Sequence, residues 1–570
     1  MCKTVADEIA AMLVAGGLRR AYCRAGAALS TLSESLQREP GLRCIGLQHE
    51  ESAAFAAVGE AMVTGQPVVC CGSSGGGNMQ LLNGLYEATR AAVPLLALAP
   101  HVPVSAIGGR YFQGCHPVSA LRDSSVYCES AYTAAQAPRV VAAALRAACA
   151  APGAGVAVMP ADVVDMPAAA PCPPAAAGRQ AAVVDPAQED VARLAELINN
   201  CDKVAFLCGR GCAGARDLLV ELARRIGAPI AYTLRAKDIM EKDNPCAVGM
   251  VGLLGWGDAP AAIQVADLLV MWGTDFPYSC FLPRHGRVVQ VDDAAVALGR
   301  RVALCHAVHG DVARTAARLL PLVRSSGRGE EFLNRSLMRH GRAVMAIEGA
   351  LRVVDERAPI RPEYLTRLLS SHAEPDAVFA VDIGPPVIWA ARYLQAFGHR
   401  RIIASFHFGT AGSAVPLAIG AKAACPSRQV IALCHAGTPG SQATELLTLL
   451  QERLSVKVLV YNYAPARAQM VQTGDVAPQP VAEFAACAAA LGLPVQRLSR
   501  VDEAAPALRR WLAARGPAVL DVELDAHALA APPQSDLQRT LDHVGDTVST
   551  TALSELAVLR RMLFGNSRLY

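Results

Sequence analysis

Glycines set directly behind short apolar runs are the first residues in this chain with a chemistry to argue. Lys203–Cys208 reads as a strand, and Gly209, Gly211 and Gly214 follow it in Gly209-Arg-Gly-Cys-Ala-Gly214. Glycine in that place lets a backbone approach a phosphate at the start of the next helix. Arg287–Val291 ends in Asp292-Asp293, and an acid at a strand end can accept from a ribose hydroxyl. A tight structural turn accounts for the same glycines equally well. A second set is Cys434, His435 and His407, all near strand ends. Thiolate and imidazole suit zinc and not magnesium. The ordinary reading of two such histidines is that they are hydrogen-bonded or exposed.

These residues need a scaffold, and the pattern supplies one. The chain is organised around residues 425–469, which read as strand, sharp turn, helix, strand, turn. Gln429–Cys434 and Val456–Tyr461 are buried strands, and Ala443–Arg453 has helical spacing with Leu446, Leu447, Leu450 and Leu454 on one face. Residues 1–165 alternate strand and helix, with Val68–Cys71, the loop Gly72–Asn78, a helix over Met79–Arg90 and the strand Pro94–Ala99. Residues 166–186, rich in Ala and Pro, read as a linker. Residues 187–335 alternate again, with strands at Lys203–Cys208, Ala266–Trp272 and Arg287–Val291. A polar helical connection covers 336–360. Residues 361–530 form a third unit, with strands near Ala377–Asp382, Ile402–Phe406, Gln429–Cys434, Val456–Tyr461 and Ala518–Val522. The fold class is therefore α/β, with three doubly wound parallel-sheet domains. The first and third units share size and rhythm. Residues 531–570 end in a helix-like tail with Leu553, Leu556, Leu559, Met562 and Leu563 on one face. Packing on its own protein is the favoured reading of that tail, and peripheral membrane contact is the alternative.

At 570 residues the chain has room for two to four domains. A formal charge of +3 leaves no electrostatic footprint for nucleic acid. The 18 cysteines show no repeated zinc spacing, and reduced thiols in the cytoplasm are the expectation. The N-terminal MCKTVADEIAAML reads as an amphipathic helix and not as a leader.

Several stretches, in order along nearly the whole chain, resemble the thiamine diphosphate-dependent superfamily that includes acetolactate synthase and pyruvate oxidase. They are most similar to its quinone-dependent pyruvate dehydrogenase branch. The resemblance rests on Gln48-His49-Glu50-Glu51, Gly72–Asn78 with Leu82-Asn-Gly-Leu85, Gly108-Gly-Arg-Tyr-Phe-Gln113, Cys208–Ala215, Asp243-Asn-Pro245, Val248–Leu253, Gly273–Tyr278, Trp389–Leu394 and Gly409-Thr410. It implies a first domain for the aminopyrimidine of the cofactor, a middle one for FAD and a third for the diphosphate. The active site then forms between subunits, in at least a dimer and usually a homotetramer.

By the same resemblance Glu50 holds the aminopyrimidine and favours the tautomer that generates the reactive ylid, which attacks a 2-keto acid. Phe112 and Gln113 fall near the substrate. Gly211, Gly252, Leu253, Thr274, Asp292 and Asp311 fall to FAD, which in this branch passes electrons to a quinone. Ile383, Gly409, Thr410 and Gly437 fall to the thiamine cofactor. The family motif begins Gly-Asp-Gly and ends in Asn-Asn, and its aspartate and second asparagine hold Mg²⁺. Here those positions are Ala436 and Tyr463. Magnesium demands oxygen ligands; alanine has none, and a neutral phenol is a poor and bulky substitute. Ala468 stands where the family has an aromatic near the substrate. Three readings follow. The first is a thiamine diphosphate/FAD oxidoreductase on pyruvate or a related 2-keto acid, with turnover weak or absent. The second is a degenerate FAD-binding paralogue with a regulatory role. The third is a same-fold enzyme with changed chemistry.

Overall fold

A computed structural model describes residues 3–24, 31–169, 183–283, 286–325, 327–352, 359–436, 439–463 and 483–525. The tail at 531–570, Gly437 and Ala468 lie outside the described residues.

Three sheets are built from strands numbered here in chain order. The first holds β1 (Arg20–Arg24), β2 (Arg43–Leu47), β3 (Val68–Cys71), β4 (Leu95–His101), β5 (Tyr127–Ser130) and β6 (Ala154–Pro160). All run parallel, in the order β2-β1-β3-β4-β6-β5. β3, β4 and β6 are buried along their whole length, which is why they read as unbroken apolar runs.

The middle sheet holds β7 (Val204–Cys208), β8 (Ile230–Tyr232), β9 (Ala247–Met250), β10 (Trp256–Gly257), β11 (Leu268–Trp272), β12 (Arg287–Asp292) and β13 (His306–His309). Its order is β10-β9-β8-β7-β11-β12-β13, and only β10 is antiparallel to its neighbour. The strand order reverses between β7 and β11, so the crevice for a ligand opens where their loops meet.

The third sheet holds β14 (Val378–Val381), β15 (Arg401–Ile403), β16 (Val430–His435), β17 (Val456–Asn462), β18 (Val495–Leu498) and β19 (Ala518–Glu523). Its order, β15-β14-β16-β17-β19-β18, repeats that of the first sheet strand for strand. The shared rhythm of the two units is a shared topology.

The equivalence extends to packing. The helix after β2, Glu50–Thr64, crosses the helix after β15, Ala414–Ala424, at two glycines. A Cβ on Gly59 would sit 2.2 Å from the Leu417 carbonyl, and one on Gly420 would sit 1.7 Å from the Ala56 carbonyl. Backbone therefore meets backbone at both points, and a side chain at either would force the helices apart. The core of the first domain is continuous with that of the third through this crossing.

Three local expectations change. The helix expected over Met79–Arg90 is two, Gly76–Gln80 and Leu82–Ala91. The strand expected at Ile402–Phe406 ends at Ile403, because the chain turns there, with Phe406 N–H donating to Ala404 O at 2.9 Å. The helix expected at Ala443–Arg453 is Pro439–Gln451. Leu446 and Leu449 are its buried apolar side chains, while Glu445 and Thr448 are buried too, on a polar face. A helix of 23 residues, Glu330–Arg352, joins the middle and third domains.

Candidate functional site

Glu50 opens its helix and is 2% exposed. Its carboxylate accepts from Ser73 Oγ at 2.5 Å. The glycine loop folds over this pair: a Cβ on Gly77 would come within 2.4 Å of Glu50 Oε1 and 2.0 Å of Ser73 Oγ. Gly75, at φ +70°, packs on Gln113, whose own φ is +61°. The structure thus gathers Glu50, Ser73, the glycine loop and Gln113 at the carboxyl edge of the first sheet. Phe112 stands beside them and is 80% exposed. Asn78, which the sequence reading placed only as the end of a loop, is fully buried there. It donates from Nδ2 to Pro100 O at 2.6 Å.

The six middle-domain candidates all sit at the carboxyl edge of one sheet: Gly211 after β7, Gly252 and Leu253 after β9, Thr274 after β11, Asp292 at the end of β12 and Asp311 after β13. Their local duties differ. Gly211 N–H donates to Gly273 O at 3.0 Å, and a Cβ on Gly211 would lie 2.7 Å from Gly273 Cα. Glycine at 211 is thus required by the two crossing loops themselves. Gly214, at φ +147°, has open space where a Cβ would be. Leu253 is a core residue. Thr274 Oγ1 accepts from Phe276 N–H at 3.1 Å. Asp311 caps the helix Val312–Leu319 by accepting from Arg314 N–H at 2.8 Å. Asp292 is buried and accepts from Ala294 N–H at 3.0 Å. Burial first, then the charges of Asp293 and Asp275, pushes its carboxyl up to about 6.

In the third domain Asp382, at the end of β14, gathers two of the expected segments. It is fully buried and accepts from Ile383 N–H at 3.0 Å and Gly412 N–H at 2.7 Å. Gly409, at φ +76°, donates to Ser405 O at 3.0 Å, and Thr410 N–H donates to Ser405 Oγ at 3.1 Å. An acid closing an apolar strand was visible in the sequence as the last residue of Ala377–Asp382.

Ala436 follows β16 and Tyr463 follows β17, and both are buried. The Tyr463 hydroxyl accepts from Trp389 Nε1–H at 2.8 Å. Its ring packs into the core around Val387, Ile388 and Tyr461. Burial pushes the phenol well above its ordinary range, so it stays protonated. A protonated phenol already bonded to an indole, beside an alanine, does not fit Mg²⁺, which needs several hard oxygen ligands. The zinc alternative fails as well. Among the described residues no group of three or more His, Cys, Asp or Glu is placed to hold a metal. His407 is hydrogen-bonded to Arg235, and Cys434 is buried with its thiol pushed well up by burial. None of the described cysteines is in a disulfide, and no described helix is long and apolar enough to cross a membrane.

Three doubly wound units, two of one topology, define an α/β protein. Comparison with known proteins places it further. Residues 3–121 match the N-terminal TPP binding domain of thiamine pyrophosphate enzymes, 191–319 their central domain and 382–522 their C-terminal TPP binding domain. The chain is 30% identical over 529 residues to the putative thiamine pyrophosphate-containing protein YdaP of Bacillus subtilis, covering 91% of each. It is 44% identical over 325 residues to an uncharacterized 42.6 kDa protein in the isoamylase 3′ region of Pseudomonas amyloderamosa, covering 56% of this chain and 81% of that one. Pyruvate oxidase of Lactiplantibacillus plantarum is 28% identical over 460 residues, 79% of this chain and 75% of its own. The chain belongs to the thiamine pyrophosphate enzyme family.

Proposed function

We propose that this protein is a flavoprotein of the pyruvate oxidase type, built for pyruvate or a related 2-keto acid. In it the pyrimidine half of the thiamine site is kept and the metal–diphosphate half is lost. The likeness to pyruvate oxidase supports the substrate class. Buried Glu50, bonded to Ser73 under a glycine loop, is the residue that would hold the aminopyrimidine. The open Gly214, behind β7 at the switch point, and Asp292, at the end of β12 on the same sheet edge, are where FAD would meet this chain. Thiamine diphosphate, where it binds, supplies the electron sink for decarboxylation of a 2-keto acid. The observation that carries the reading is the Trp389–Tyr463 hydrogen bond beside Ala436, which replaces both metal ligands with core.

Thiamine-dependent turnover should therefore be weak or absent. The same loss favours a second reading, a flavin-binding paralogue that regulates an active relative within mixed assemblies. Calorimetric titration of the FAD-loaded protein with thiamine diphosphate, in Mg²⁺ and then in EDTA, tests the proposal. No binding in either, or weak binding indifferent to EDTA, is expected. Tight binding that EDTA abolishes would show the metal site to be intact and the proposal wrong.

A further inference from the structure

Two buried glutamates tie the first domain to the third, and they do so reciprocally. Glu445 lies on the helix Pro439–Gln451, between β16 and β17. Its carboxylate leaves the third domain and accepts from Gln48 N–H of the first, at 3.1 Å to Oε1 and 3.3 Å to Oε2. Thr448 Oγ1, on its own helix, donates to Oε2 at 2.7 Å. Burial pushes the Glu445 carboxyl up, and the Thr448, Gln48 and His49 donors oppose that. Gln48 and His49 form the turn that leads into the Glu50 helix. His49, the residue in the capping position, supplies no side-chain cap of its own. The Glu445 carboxylate therefore holds the backbone N–H just ahead of that capping position, and it does so from another domain.

Glu87 does the converse. It lies on the helix Leu82–Ala91, between β3 and β4 of the first domain. Its Oε2 accepts from Ser405 Oγ at 2.7 Å and from Phe408 N–H at 2.9 Å in the third. Those donors form the turn after β15, which carries Gly409 and Thr410. Ser405 Oγ in turn receives Thr410 N–H at 3.1 Å. Tyr86 stacks on Phe408 with centroids 4.7 Å apart and rings 4° from parallel. β3 and β16 hold the same place in the two sheets, as do β2 and β15. Glu87 and Glu445 thus stand at equivalent places, and each reaches the equivalent turn of the other domain, on either side of the Gly59/Gly420 crossing. Both are 0% exposed.

We infer that Glu87 and Glu445 are a reciprocal pair of positioning residues, each fixing the ligand-facing turn of the opposite domain. Glu445 sets the start of the Glu50 helix from a helix that begins just past Ala436. Glu87 sets the Ser405–Thr410 turn from the helix behind the Gly72–Asn78 loop. The helix beyond the lost metal motif is thereby retained for a reason of its own. It also anchors Gln48 Nε2 through Gln451 at 3.1 Å, and Glu452 pairs with Arg43 at 3.0 Å. That these turns meet a cofactor rests on the function proposed above; the clasps do not.

Hydrogen exchange followed by mass spectrometry on the full chain tests the pair. Glu445→Ala should speed exchange over residues 48–53 by roughly tenfold or more while leaving 405–412 near wild type, and Glu87→Ala should do the reverse. Glu445→Gln and Glu87→Gln keep one acceptor oxygen and should restore most of the protection. They also serve where an alanine variant does not fold. No local change, or equal loosening of both turns by either variant, would overturn the inference. Titration with thiamine diphosphate in Mg²⁺ separates the clasp from the function. Measurable binding that Glu445→Ala weakens and Glu445→Gln recovers extends the clasp to the cofactor. Equal affinity of all three would refute that extension. If the wild type binds none, exchange still decides the clasp.

Discussion

Tyr463 carries the loss of the metal site at the scale of one residue. Its hydroxyl satisfies the Trp389 indole N–H, which would otherwise be a buried donor without a partner. Removing that acceptor in Tyr463→Phe should lower stability by about 1–3 kcal/mol, read from the denaturant midpoint. Unchanged stability would mean the bond contributes nothing. Asp292 makes a pH prediction. Its folded-state value, pushed up to about 6, lies above the ordinary carboxylate range, so the stability it adds to the free protein is present at low pH and is lost as pH rises through about 6. A ribose hydroxyl donates better to the ionised form, so flavin affinity should rise over the same interval and flatten in Asp292→Asn. A pH-independent affinity in the wild type would remove Asp292 from the flavin site. His407 is kept neutral by burial and by the nearby Arg235, Arg90 and Arg210, and it serves as a hydrogen-bond acceptor.

Elements explain which parts of this arrangement could be read from sequence. Fully buried strands such as β3, β4 and β7 read as apolar runs and declare themselves. Three- and four-residue strands such as β8 and β13 are too short for periodicity to mark. The glycine runs were legible as turns, but their cause was not, because Gly211 is confined by Gly273, 62 residues away in sequence. Gly211→Ala should therefore destabilise the flavin-free protein by roughly 1–3 kcal/mol, as overpacking does. A loss of flavin affinity with stability intact would instead make that glycine a ligand contact. Glu50 was found through resemblance, and its burial under Gly77 was not foreseeable from the local pattern. Glu87 and Glu445 went unnoticed because each is simply the single acid of its helix, and its partners lie in a different domain. An isolated acid in such a setting, at the same place in two related units, is the signal that could have found them.

For the whole molecule, the repeated strand order means that two equivalent domains face each other across the Glu50–Thr64 and Ala414–Ala424 helices. That crossing is close enough that Gly420→Ala should undock the first and third domains, with earlier melting and faster limited proteolysis between them. Unaltered melting would contradict backbone contact at that point. The family resemblance leads us to propose assembly into at least a dimer, which sedimentation velocity would check. A monomer at micromolar concentration would leave the exposed Phe112 without the covering partner that a shared site requires.

The measurement closest to the central claim is restoration of the metal ligands. Ala436→Asp combined with Tyr463→Asn, in folded protein loaded with FAD, should convert weak or absent thiamine diphosphate binding into binding that depends on Mg²⁺, seen by calorimetry and reversed by EDTA. If the double variant binds no better than wild type, the loss of function does not lie in these two residues. If the wild type already binds tightly and only in Mg²⁺, the metal site was never lost.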